Sequence, residues 1–143
     1  MAGDRILLID DETELLSTLS ERMETRGMRV TTAESGETAI ELARERTFDA
    51  IVLDLAMPGI DGIETLRRLR ELNPDLQVIL LTGQATVQKS IEAMKLGAVD
   101  LLEKPADFEL LIAKIEEASA RKAELFEQRT AEKMNDIMRK KGW

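Results

Sequence analysis

Residues 50–74 read AIVLDLAMPGIDGIETLRRLRELNP, and the changes of pattern inside them decide the fold. Ala50 to Asp54 form a short apolar run ending in a carboxylate, which suits a strand covered on both faces. Met57-Pro58-Gly59 then makes a rigid turn, with proline fixing φ and glycine free to take unusual angles. Asp61-Gly62 opens a helix whose apolar members, Ile63, Leu66, Leu69 and Leu72, fall on one face. Asn73-Pro74 closes it, because the residue before a proline disfavours helical angles.

Outward from this unit the alternation repeats. Strand-like runs span Ile6 to Asp10, Arg29 to Thr32, Val78 to Thr82 and Val99 to Glu103. Between them lie helical series: Leu15, Leu16, Leu19 and Met23; Ala39, Ile40 and Ala43; Val87, Ile91 and Met94. Gly27 and Gly97 stand where a left-handed residue ends a helix. Asp11 with Glu14 can form a capping box on the first helix. Five such units predict an α/β chain: a flavodoxin-like, doubly wound, five-stranded parallel sheet of order 2-1-3-4-5 with five helices.

A fifth helix begins near Asp107 and continues past what one packed layer requires. Ile112, Ile115 and Ala118 hold the inner face, and the chain then becomes charge-dense from Arg121. Leu125 and Phe126, then Met134, Ile137 and Met138, make an interrupted apolar stripe. Glu117 with Arg121 and Asp136 with Lys140 are helix-supporting pairs. Residues 1–115 carry 22 acidic and 13 basic side chains, whereas residues 116–143 carry 6 and 7. This shift predicts a domain over 1–119 and a C-terminal helical extension over 120–143, either solvated or paired with a second copy (a homodimer) or another partner.

The chain has 143 residues and a net charge of −8, which argues against direct nucleic-acid binding. It has no cysteine and no histidine, so disulfides, thiolate or imidazole metal sites and phosphohistidine chemistry within the chain are excluded. No apolar stretch approaches the roughly 18 residues of a membrane span, and the N-terminus does not resemble a signal peptide. A cytoplasmic protein is expected.

The strand ends carry the chemistry. Asp10 and Asp11 follow the first run, Asp54 ends the third, Thr82 the fourth, and Lys104 follows the fifth. Ligands in open parallel sheets bind outside the carboxyl ends of the strands, so these residues are expected to converge. Two carboxylates about 4 Å apart repel by roughly 4 kcal/mol at an effective dielectric of 20. A hard divalent cation, Mg²⁺ or Mn²⁺, relieves that repulsion. Asp54 is the expected nucleophile, able to accept a phosphoryl group as an acyl phosphate. Lys104 and the Thr82 hydroxyl would stabilise its equatorial oxygens, and Gly83 would leave room for its approach. Lys104-Pro105 is a candidate cis peptide.

IDDE, VLDLAMPGIDG, LLTG and EKP, in this order and separation, closely resemble the receiver domain of two-component response regulators from about Arg5 to Ala118. The stretch TGQATVQKSIEAMKLGAVDLLEKP looks most like receivers of enhancer-binding transcriptional activators. The resemblance implies Asp54 as phosphoacceptor, and Asp11, Asp54 and the Ala56 carbonyl as Mg²⁺ ligands with Asp10 in support. It implies Thr82 as switch hydroxyl and Lys104 as the phosphate-contacting lysine. The donor would be a phosphohistidine on a sensor histidine kinase or phosphotransfer protein, and the chain a phosphoacceptor without enzymatic turnover. It reads as a stand-alone receiver or as part of a longer regulator. Many receivers carry an aromatic ring three residues before the lysine; here Leu101 occupies that place, so a ring-in, ring-out switch is not expected.

Three rivals share the architecture. An aspartate-nucleophile phosphatase needs a second acid two residues after the nucleophile, where this chain has Ala56. A flavin binder needs aromatic stacking, and the chain has no tyrosine and a single tryptophan at its end. A phosphorylation-independent adaptor would not require the full set of acids, hydroxyl and lysine.

Overall fold

The computed structural model describes residues 3–57, 61–83 and 87–140. Five strands, β1 (Arg5–Ile9), β2 (Arg29–Ala33), β3 (Ala50–Leu53), β4 (Val78–Thr82) and β5 (Asp100–Glu103), alternate with helices α1 (Thr13–Thr25), α2 (Gly36–Glu45), α3 (Gly62–Leu72), α4 (Val87–Lys95) and α5 (Phe108–Lys140). The strands form one parallel sheet in the order β2-β1-β3-β4-β5. The anticipated architecture is therefore present.

Alternation along the strands builds two cores. Ile6 and Leu8 of β1, with Val52 and Ile79, face Leu16 and Met23 of α1 and Leu111, Ile112 and Ile115 of α5. Leu7 and Ile9, with Ile51 and Leu53, face Ala39 and Ile40 of α2 and Ile63, Leu66 and Leu69 of α3. Because side chains alternate across the pleat, strands buried on both faces must be apolar throughout. That is why AIVL at β3 is fully buried.

Helix ends follow local chemistry. Ser35 and Asp61 cap α2 and α3 by accepting from the Thr38 and Glu64 N–H groups. Gly27 and Gly97 adopt φ of 89° and 105°, and the residues after them bond back to the Met23 and Ala93 carbonyls. The Asp11–Glu14 capping box does not form: the N-cap of α1 is Glu12, without a side-chain cap. The Glu12 N–H instead donates to Asp10 Oδ1 at 2.9 Å. A short-range turn of this kind competes directly with a cap one residue later.

The stripe on α4 also departs from a core role. Val87, Ile91 and Met94 are 78%, 52% and 45% exposed, and Ala93 is what the helix buries. A three-to-four spacing identifies a face but not its direction. α5 runs without interruption across position 119; within it Glu117 pairs with Lys114, Arg121 with Glu124 and Arg139 with Asp136, each three residues apart where four was expected. No helix among the described residues is long and apolar enough to cross a membrane. The Pro58-Gly59 part of the turn lies outside the described residues.

Candidate functional site

Register brings the strand ends together. β1 and β3 lie side by side with Ile9 opposite Leu53, so Asp10 and Asp54 leave the sheet at the same level. The Asp54 N–H donates to the Ile9 carbonyl at 3.0 Å, holding the two exits in step. On the other side Thr82 of β4 is opposite Glu103 of β5, and the Lys104 N–H donates to the Thr82 carbonyl at 3.0 Å. Lys104 thus starts from beside Thr82, and its side chain spans to the acids.

The Lys104 Nζ lies 2.7 Å from Asp10 Oδ2, 2.9 Å from Glu12 Oε1 and 3.3 Å from Asp54 Oδ2. Asp10 and Asp54 are buried, at 5% and 4% exposure. Burial raises the Asp10 carboxyl above its ordinary range. The hydrogen bonds from Lys104 and the Glu12 N–H oppose that rise, and the Asp54 charge adds to it. Burial alone would lower Lys104, yet hydrogen bonds to Asp10 and Glu12 and the charges of Asp10 and Asp54 hold it well above the ordinary lysine value. The ammonium is a firm cation at the centre of three carboxylates. The Ala56 N–H donates to Asp54 Oδ1 at 3.1 Å, which fixes that carboxylate's orientation.

Carboxylate oxygens of Asp10, Glu12 and Asp54 lie within 4.8 Å of one another. An all-oxygen, multiply charged donor set of this size suits a hard divalent cation. Asp11 is exposed and lines the same cleft, outside that three-residue group. The cleft has a volume of about 740 Å³ and runs from Asp11, Asp54 and Lys104 to an apolar shoulder of Leu15, Leu19 and Phe108. Arg22 stacks over the Phe108 ring at 3.9 Å, closing the far end. Thr82 is fully buried at the end of β4. The Lys104-Pro105 bond is cis. Leu101 pairs with Leu80 and packs on the α2–α3 side of the sheet.

Two residues of the site were not singled out from sequence. Glu12 reaches Lys104 because the turn at Asp10 folds position 12 back over the strand end. The Asp-x-Glu spacing was a usable signal for that turn. Gly62, the first residue of α3, presses on the loop after β3: a Cβ there would stand 2.2 Å from Leu55 Cα and 2.7 Å from the Asp54 carbonyl oxygen. Its N–H donates to the Leu55 carbonyl at 3.0 Å. Gly83 is less demanding, since a Cβ would meet Lys104 at an ordinary 3.8 Å.

The chain is 40% identical over 115 residues to the transcriptional regulatory protein ZraR of Escherichia coli O157:H7, covering 80% of this chain and 26% of that one. It is 37% identical over 113 residues to the transcriptional regulatory protein FixJ of Bradyrhizobium diazoefficiens, covering 79% and 55%. The chain thus spans about a quarter of the first regulator's length and about half of the second's. A response regulator receiver domain protein from Clostridium thermocellum superposes with a TM-score of 0.81 at 34% identity, covering 87% of this chain and 99% of that one. The model of the response regulator receiver domain matches residues 6–116, from β1 into the first turns of α5. The chain belongs to the response regulator receiver domain family of two-component systems.

Proposed function

We propose that this chain accepts a phosphoryl group on Asp54 from a phosphohistidine of a sensor kinase or phosphotransfer protein, and thereby switches a protein-interaction surface. The observation that carries this reading is the buried Asp54 carboxylate, oriented by the Ala56 N–H and 3.3 Å from a fully charged Lys104 at the floor of an open cleft. One Asp54 oxygen would attack phosphorus while the donor P–N bond breaks and the imidazole leaves with the electron pair. Transfer of this kind needs positioning and charge stabilisation rather than proton relay.

Lys104 would follow one phosphoryl oxygen and the Thr82 hydroxyl another. Mg²⁺, when bound, supplies neutralisation of the acids and the incoming phosphate. Asp10 and Asp54, with Asp11 or Glu12 and the Ala56 carbonyl, would hold it. Position 56 offers no carboxyl, so a general acid for phosphatase turnover is missing. The donor protein would seat on the shoulder formed by Leu15, Leu19 and Phe108, which continues the cleft.

The surface to be switched is the exposed face of α4 with the residue just before β5, where Val87, Ile91, Met94 and Val99 lie open. The added charge at Asp54 biases a pre-existing equilibrium there through Thr82 and Lys104. A shift from 1:99 to 99:1 needs about 5.5 kcal/mol of differential stabilisation. Incubation with acetyl phosphate and Mg²⁺, followed by intact mass, tests the proposal. It predicts one phosphoryl group per chain; no gain, or the same gain in Asp54→Ala, refutes it.

A further inference from the structure

The amino ends of β1 and β2, at the edge of the sheet away from Asp54, hold a second charged cluster, of the opposite sign. Arg5 is the register partner of Arg29, so the two Cα atoms stand about 4.8 Å apart. Leu7 and Ile9 of β1 and Ala33 of β2 lie in the core beneath α2 and α3. Side chains alternate across a sheet, so Arg5, Arg29 and Thr31 belong to that same face. The chain leaving α2 crosses this edge: Arg46 is extended, and Phe48, 2% exposed, anchors the segment in the same core. Arg5, Arg29, Thr31, Arg46, Thr47 and Phe48 line one groove of about 310 Å³. The five residues of β1 put it about 15 Å from the Asp10–Asp54 cleft.

Among the described residues, no carboxylate pairs with the guanidinium of Arg5, Arg29 or Arg46. Asp49 is engaged elsewhere: its Oδ2 accepts from the Arg5 backbone N–H at 2.7 Å, and its Oδ1 meets Lys122 at 3.4 Å. Every other described arginine except Arg44 has a carboxylate, a carbonyl or an aromatic ring against its guanidinium. Like charges side by side on neighbouring strands are destabilising. A chain of net −8 has carboxylates in excess, yet these three cations are gathered without one. Guanidinium forks together with the Thr31 and Thr47 hydroxyls make a donor-rich groove suited to an oxyanion.

We propose that this groove is a second ligand site, which takes the diphosphate group of a small anionic molecule. A single carboxylate offers too few oxygens for three two-pronged forks, whereas a diphosphate fills them. The volume is at the small end of ligand pockets, and buried Phe48 leaves no ring face for a base to stack on. A long polyanion such as nucleic acid would meet the repulsion of the −8 body around the groove.

Titration of the full chain with inorganic pyrophosphate, in salt near 0.15 M and free of divalent cations, tests this by amide chemical shifts. Without a cation the acids of the Asp54 cleft repel the probe. Saturable shifts should appear at Arg29, Thr31, Arg46 and Thr47, with one pyrophosphate per chain. Arg29→Gln and Arg46→Gln should each weaken binding about tenfold or more, while Arg44→Gln, exposed and equally unpaired, should leave it nearly unchanged. Pyrophosphate binding as tightly as adenosine diphosphate assigns the site to free diphosphate; tighter adenosine diphosphate assigns it to a diphosphate ester. Shifts that never saturate, shifts confined to the Asp10 and Asp54 loops, or an equal loss in Arg44→Gln overturn the proposal.

Discussion

Replacing Gly62 by alanine puts a methyl group where the backbone after β3 already stands, 2.2 Å from Leu55 Cα and 2.7 Å from the Asp54 carbonyl oxygen. Carbon atoms in favourable contact sit about 3.5–4.0 Å apart, so α3 and the Asp54–Leu55 segment must separate by more than about 1 Å. Neither side is a flexible side-chain tip. One is backbone beside a fully buried strand, and the other is a helix held by Ile63, Leu66 and Leu69 in the core. Overpacking typically costs about 1–3 kcal/mol, and a backbone-to-backbone clash belongs at the upper end. At roughly 4 °C per kcal/mol for a domain of this size, the midpoint should fall by about 10 °C. Urea unfolding should show a lower midpoint at constant slope. The same displacement moves the Asp54 carboxylate away from Lys104, and misplacement of about 1 Å can slow a positioned reaction about 10²-fold. The control is Gly83→Ala, whose Cβ meets Lys104 at 3.8 Å and should change stability by less than about 0.5 kcal/mol. A Gly62→Ala protein within 2 °C or so of the parent, phosphorylating at its rate, would refute the reasoning.

In metal-free buffer Asp10→Asn should be more stable than the parent at neutral pH. The folded carboxyl is raised above its ordinary 3.8, so its contribution to stability is present below that value and lost as pH rises through the folded one; the advantage of the variant, read by thermal melts, should vanish as pH falls toward 3.8. Lys104→Met leaves Asp10, Glu12 and Asp54 without their shared ammonium, so millimolar Mg²⁺ should raise its melting temperature more than it raises the parent's. Ile91→Ser on the outward face of α4 should change stability by less than about 0.5 kcal/mol in urea unfolding, whereas a core isoleucine would cost several times that.

Much of this molecule was legible as sequence because its signals are local. The apolar runs at β1, β3 and β4 state their own burial, and the Gly27, Gly97 and Asp61 punctuation follows from backbone chemistry within a few residues. Convergence of Asp10, Asp54 and Lys104 was readable because a parallel sheet puts all strand ends on one side. What sequence did not disclose depends on contacts distant in the chain. The outward direction of Val87, Ile91 and Met94 is set by how Ala93 meets the core under α2 and α3, not by the spacing of the stripe. Glu12 joins the site through a lysine 92 residues away. The need for glycine at position 62 arises from Leu55, across the turn, and periodicity carries no trace of it.

The most direct test of the account is the position of the phosphoryl group on the treated protein. Reduction with borohydride converts an aspartyl phosphate to homoserine, and tandem mass spectrometry then finds the altered residue. The account predicts conversion at Asp54; conversion at Asp10, Asp11 or Glu12 instead, with Asp54 intact, would contradict it.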